Sequence, residues 1–267
     1  MKKPTSKTVR YIAPILGIRV TSSSASSLLN ELLEAVSKEN FEAAKLVVTP
    51  NPEIIMAAQK NQELARILNS AYLSVPDGVG LKVVGGVREV IPGRVLAEDI
   101  IREAGRYGLR VFLVGGKEGV AAEAAAQIQN SKVKVQKYNS KFKIWAEGGP
   151  WLDENGRPVD GEQEKIEKDA IEKINRFKPH FLFVGFGPPK QELWVSRNLP
   201  HLKVGIAMTV GGAFDYWAGK VPPPPKIVSQ AGFEWLWRLI TQPWRAKRIF
   251  TAVVRFPLAV LWYRLTH

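Results

Sequence analysis

Cysteine is absent from the 267 residues, and histidine occurs only at His180, His201 and His267. A disulfide framework, a thiolate nucleophile, an iron–sulfur cluster and a cysteine-based zinc site are thereby excluded. Three scattered histidines do not suggest a histidine-based metal centre. Walker A and Asp-x-Asp motifs are missing as well. The dinucleotide fingerprint G-x-G-x-x-G is incomplete, because Lys190 follows Gly185-Phe186-Gly187, and Val83 follows Gly78-Val79-Gly80, where the third glycine belongs. Neither a metal nor a cofactor is expected. Catalytic groups must be sought among oxygen, amide and guanidinium side chains.

Acidic residues are scarce at both ends. Residues 1–30 carry five basic side chains and no acid, and residues 220–267 carry eight basic side chains against Glu234 alone. Of the net charge of +13, only +1 is left for residues 31–219. A near-neutral body with basic ends points to a polyanionic partner: membrane lipid, nucleic acid or a phosphorylated ligand. Long apolar runs are also missing. Those near the C-terminus reach about eight residues, short of the ~18–20 that span a bilayer. The N-terminal apolar stretch is interrupted by Pro14 and ended by Arg19, with no cleavage pattern after it. The expectation is a chain that lies on a membrane and does not cross it.

An apolar content of 45% with 24% charged residues is ordinary for a folded α/β domain. Strand and helix signals alternate. Helices are expected at 27–38 and 52–69, and strands at 45–49, 71–75, 110–114 (ending VFLV), 181–184 (FLFV) and 204–210. This pattern predicts a doubly wound, Rossmann-like parallel sheet. Residues 1–14 read as a loose arm and 15–221 as the α/β domain. Within that domain, 136–162 is a polar excursion from the sheet. Four consecutive prolines, Pro222–Pro225, introduce a basic, helical, membrane-associating appendage at 222–267, which holds four of the eight tryptophans.

Ligands of open α/β sheets collect at the carboxyl ends of the strands. Four such ends carry signals: Thr49-Pro50-Asn51-Pro52, Pro76-Asp77-Gly78, Gly115-Gly116, and Gly185 through Glu192. Glycine there lets backbone N–H groups approach a phosphate. Asp77 is suited to accept a proton from a hydroxyl, and equally to cap its own turn. Thr49 and Asn51 suit either a ligand or the cap of the next helix, capping being the better fit. Gln191 and Glu192 read as cleft residues or as a solvated helix start. In the tail, Arg245, Arg248 and Arg255 fall within a sector of roughly 90° on a helical wheel. The alternatives at this level are a nucleotide-binding oxidoreductase, or a basic module that binds membrane or nucleic acid without catalysis.

In order and at suitable distances stand TPNPE (49–53), PDGVG (76–80), FLVGG (112–116), FVGFGPPKQE (183–192), GGAFD (211–215) and GFEWLWRL…QPWRAKR (232–248). Together these blocks closely resemble the WecG/TagA/CpsF glycosyltransferase family over about residues 15–250. The resemblance implies an inverting transfer of an N-acetylmannosamine-type sugar from a UDP donor to a polyprenyl-diphosphate-linked GlcNAc acceptor, in teichoic acid or cell-surface polysaccharide synthesis. It assigns Asp77 as catalytic base. Thr49, Asn51, Arg94, Gln191, Arg238, Arg245 and Arg248 become substrate-binding residues, beside the strand-end glycines Gly115, Gly116 and Gly187 whose N–H groups are the phosphate candidates. It also implies a cytoplasmic enzyme, peripheral on the inner face of the cell membrane. Its partners would be the UDP-sugar, the lipid-linked acceptor and an anionic membrane surface. Homo-oligomerisation is compatible with this, and nucleic acid is not an expected partner. This chain departs from the family with Ala97 for a usual glycine, Pro223–Pro225 for a usual Arg-Ala-Pro, and a longer 136–162 excursion.

Overall fold

The structure, a computed structural model, describes residues 9–37, 43–130, 141–225, 227–228 and 233–266. Six strands form one parallel sheet: β1 (Lys45–Val48), β2 (Leu73–Ser74), β3 (Arg110–Gly115), β4 (Lys143–Glu147), β5 (Phe181–Gly185) and β6 (Ile206–Thr209). Their order is β2-β1-β6-β5-β3-β4. The doubly wound α/β expectation is met.

Strand alternation divides the interior into two cores, since successive side chains point to opposite faces. Leu46, Val48, Phe112, Val114, Leu182, Val184 and Ala207 pack on one side. There they meet α2 (Pro52–Ala58), α3 (Gln62–Ser70), α7 (Gly161–Phe177) and α8 (Lys190–Asn198). Val47, Val111, Leu113, Phe181, Phe183, Ile206 and Met208 pack on the other. That face carries α1 (Ala25–Ala35), α5 (Gly93–Tyr107), α6 (Val120–Asn130) and α9 (Ala213–Trp217). The run-like strands VFLV and FLFV are apolar throughout because both faces are covered. A short helix, α4 (Val79–Val83), follows the Asp77 turn.

Three local differences from the sequence reading have physical causes. The helix expected over 52–69 is two helices, because Asn61 accepts the Leu64 N–H (2.9 Å) and starts α3 as its cap. Residues 9–14 are not loose: Tyr11 pairs with Thr21, and Ile12 donates to the Val20 carbonyl, while 1–8 lie outside the described residues. The 136–162 excursion contains β4, an edge strand whose exposed, charged side masks its period; 136–140 lie outside the described residues.

The tail forms a helix over Glu234–Thr241 and a second over Pro243–Thr266, interrupted by a π-helical turn at Thr251–Arg255. Phe256 and Val260 are buried against the body, and Ile249 is buried as well. Gly80 permits the approach: a Cβ there would sit 2.9 Å from the Pro52 ring and 3.8 Å from Phe256. By length and composition the Pro243–Thr266 helix is sufficient to cross a membrane, its most apolar 18-residue stretch having a mean hydropathy of 1.3. Counting unbroken apolar runs missed this, because Arg255 and Arg264 interrupt the runs without lowering the average enough to matter.

Candidate active site

Helices after β3 and β5 leave for opposite faces of the sheet, so the loops at those strand ends diverge and open a crevice. A cleft of about 620 Å³ occupies it, along the carboxyl ends of the strands. Its walls include Thr49, Asn51, Asp77, Arg94, Gly116, Gly187, Gln191, Arg245 and Arg248. Residues from 49 to 248 thus meet in one place. Gly115 does not line it. A Cβ on Gly115 would lie 3.0 Å from the Gly185 carbonyl carbon, and the Gly116 N–H already bonds to Gly185 O (3.1 Å). These two glycines, both at positive φ, hold the ends of β3 and β5 together. Gly115 thus serves the close packing of the two strand ends. Gly187 also has positive φ, and a Cβ there would meet nothing within 4 Å.

Asp77 follows β2 in the Pro76-Asp77-Gly78 turn. Its N–H bonds to Pro50 O (3.0 Å), and its Oδ2 accepts the Gly93 N–H (3.1 Å) at the start of α5. A backbone N–H on a carboxylate is a charge-assisted bond that holds the group in one orientation. Thr49 fixes the far side of this arrangement. Its hydroxyl donates to Thr209 O (3.2 Å), and it fills the space a Gly93 Cβ would need, 2.8 Å away. Asn51 caps α2 by accepting the Ile54 N–H (3.0 Å), as the capping alternative anticipated, and it also faces the cleft.

On the cleft floor, Gln191 accepts the Gly211 N–H on its Oε1 (3.0 Å) and donates from Nε2 to Glu192 Oε1 (2.8 Å). Glu192 is fully buried, which disposes of the solvated helix start. Burial pushes its carboxyl up to about 7, opposed by the Gln191 hydrogen bond. The Thr209 hydroxyl is near enough to ease the charged form but outside hydrogen-bond geometry, and Glu192 Oε2 is left without a partner. Between its ordinary value of 4.5 and about 7, the folded chain retains a proton that the unfolded chain has lost. Stability should therefore fall as pH rises through that window. Glu192→Gln keeps the acceptor oxygen and removes the titration, so it should shrink the loss between pH 5 and 8 by on the order of 3 kcal/mol. Urea unfolding of both proteins at the two pH values checks this; parallel pH profiles would exclude Glu192 as the source.

Arg94 is held rather than extended. It pairs with Glu98 (2.6 Å) and stacks over the Tyr216 ring (5.2 Å), while Glu98 also accepts from Trp217 Nε1 (3.1 Å). The two tail arginines that reach the cleft differ. Arg248 pairs with Glu53 of α2 (2.6 Å). Arg245 Nη2 and Asp215 Oδ2 converge on Gly212, within 3.6 and 3.5 Å of where its Cβ would stand. Arg238 lies in the Glu234–Thr241 helix, but its side chain is outside those described.

The sequence reading passed over two parts of this wall. Asp215 was visible only within the GGAFD block. The hairpin at 150–159, with Trp151, Leu152 and Val159 in the cleft wall, carried no local signal beyond its tryptophan. Among the described residues, no three His, Asp or Glu side chains converge as a metal-ligand set. The crevice can hold an elongated anionic ligand along its glycine loops, beside a carboxylate able to take a proton. The sequence model described as the glycosyl transferase WecG/TagA/CpsF family matches residues 13–267, essentially the whole chain, and this protein therefore belongs to that family of glycosyltransferases.

Proposed function

We propose that this enzyme moves an N-acetylmannosamine-type sugar from a UDP donor to a polyprenyl-diphosphate-linked GlcNAc, with inversion, in the assembly of a cell-surface polymer such as teichoic acid. One observation carries the reading: Asp77, the Gly187 and Gly211–Gly212 loops and the tail's Arg245 all border one cleft. Asp77 would take the proton of the acceptor hydroxyl as that oxygen attacks the anomeric carbon. The bond from that carbon to the β-phosphate oxygen breaks, and UDP leaves with the electron pair. Backbone N–H groups, the start of α8 and the Arg245 guanidinium are suited to the charge that develops there. No step requires a cofactor.

A lipid-linked acceptor must be met at a membrane. The Pro243–Thr266 helix docks through Phe256 and Val260, and exposes Phe250, Leu258, Leu261, Trp262 and Leu265. Lys247, Arg255 and Arg264 are exposed along it. That composition suits a helix lying in the interface, on the cytoplasmic leaflet, and basic residues near an anionic surface contribute ~1 kcal/mol each. Docking against α2 and Gly80 favours this reading over a span, since a spanning helix would have to give up its packing on the body.

The test offers a panel of UDP-sugars with a lipid-diphosphate-GlcNAc analogue and measures UDP release, alongside sedimentation with anionic vesicles. UDP-N-acetylmannosamine should be turned over only with the acceptor present, and vesicle binding should weaken with salt. Release from another nucleotide sugar alone would overturn the donor assignment.

A further inference from the structure

We propose that the 150–159 hairpin presents Trp151 as a stacking platform for the planar base of the donor nucleotide. This rests on the UDP-donor reading above and assigns a task to a segment that reading leaves unused. Trp151 lines the cleft with 75% of its surface exposed. The backbone beneath it is firmly held. Trp151 N–H bonds to Gln163 Oε1 (2.8 Å), and the Val159 N–H bonds to Trp151 O (3.2 Å). Lys190 donates to Leu152 O and Arg197 to Gly156 O, both from α8. Gly156 packs so closely that a Cβ would lie 2.7 Å from Lys190 O. Leu152 is buried in the core while its neighbour's indole is left in the open. An aromatic ring on an immobilised hairpin offers stacking area at little further entropic cost.

The choice of ligand follows from the polarity of the cleft. Trp151, Leu152 and Val159 belong to the segment after β4, with Lys117 and Glu118 of the neighbouring β3 loop also in the cleft wall. Asp77 follows β2, at the opposite edge of the sheet, next to the Thr49 and Asn51 loop. The phosphate-suited loops after β5 and β6 come between them. An inverting displacement sets base, attacking hydroxyl, anomeric carbon and leaving phosphate in a row. With Asp77 at one end, the nucleoside must point to the other. The Trp151 end therefore receives the base, and the acceptor's sugar stays beside Asp77.

Calorimetric titration of the full chain with UDP tests this. Trp151→Ala should weaken UDP by about ten- to a hundred-fold, in the range of losing one base–aromatic stack, and Trp151→Phe should recover most of it. The KM for the UDP-sugar should rise in Trp151→Ala while the KM for the acceptor stays. Dihydrouridine diphosphate, whose base is puckered, should bind the wild-type chain more weakly than UDP and lose nothing further in Trp151→Ala. That comparison on the wild-type chain needs no variant to fold. Equal UDP affinity in wild type and Trp151→Ala, or a change in the acceptor's KM instead, would overturn the platform and leave the donor reading standing. A wild-type chain that binds no UDP would overturn both.

Discussion

Asp77→Asn should lower turnover about 10²–10⁴-fold, the usual consequence of losing a general base, while the folded protein remains intact. The amide keeps an oxygen able to accept the Gly93 N–H, which Oδ2 now holds at 3.1 Å, so the turn and the start of α5 should persist. What disappears is the capacity to take a proton from the acceptor hydroxyl. The measurement is kcat for UDP release at saturating donor and acceptor, with thermal unfolding as the control. An unchanged melting temperature with collapsed kcat supports the role. Near-wild-type kcat would remove Asp77 from the mechanism and leave it as a capping group of the Gly93 turn.

Arg245→Ala is the second large effect, and it separates a catalytic tail from one that only anchors. Arg245 reaches the Gly212 loop beside Asp215, whereas Arg248 pairs with Glu53 on a partly exposed helix face. Removing a donor aimed at developing charge costs ~10²–10³ in kcat. Removing one partner of an exposed ion pair costs about 0–1 kcal/mol. Arg245→Ala should therefore cut kcat by about a hundred-fold or more on a water-soluble acceptor analogue, with no membrane present. Arg248→Ala should chiefly loosen the tail. Point variants are preferred to truncation because Phe256 and Val260 belong to the buried interior, so deleting the tail would uncover the body's core as well. Full activity of Arg245→Ala on the soluble analogue would leave the tail as a membrane anchor alone.

The strands that form the centre of the sheet were legible because they are buried on both faces. VFLV and FLFV need no partner to be recognised, and the glycines after them mark where the chain must turn. β4 was not legible. An edge strand with one solvated side, reading KIWAE, does not differ locally from a polar loop. Helix breaks are similarly decided by single side chains: Asn61 could sit inside a helix or start one, and its bond to Leu64 N–H selects the second.

Within the cleft, the residue types were readable and their states were not. An acid next to glycine at a strand end makes Asp77 a candidate from spacing, evenly with a turn cap, and family-like blocks mark the segments around it. Nothing local separates Gln191 and Glu192, adjacent in the chain, into one amide bonded to a distant loop and one fully buried carboxyl. Nor does local sequence divide Arg245 from Arg248, since both fall in the same sector of the helix. The amino-acid sequence by itself determined the layered α/β architecture, the order of the glycine-marked strand ends and the basic, tryptophan-rich tail, because burial pattern and charge are properties of short segments. Tertiary structure alone decided that the tail's Phe256 enters the core, that Arg245 meets the Gly212 loop and that Trp151 faces the same cleft as Asp77. Those outcomes depend on surfaces contributed by segments far apart in the chain, and no local pattern encodes which of them meet.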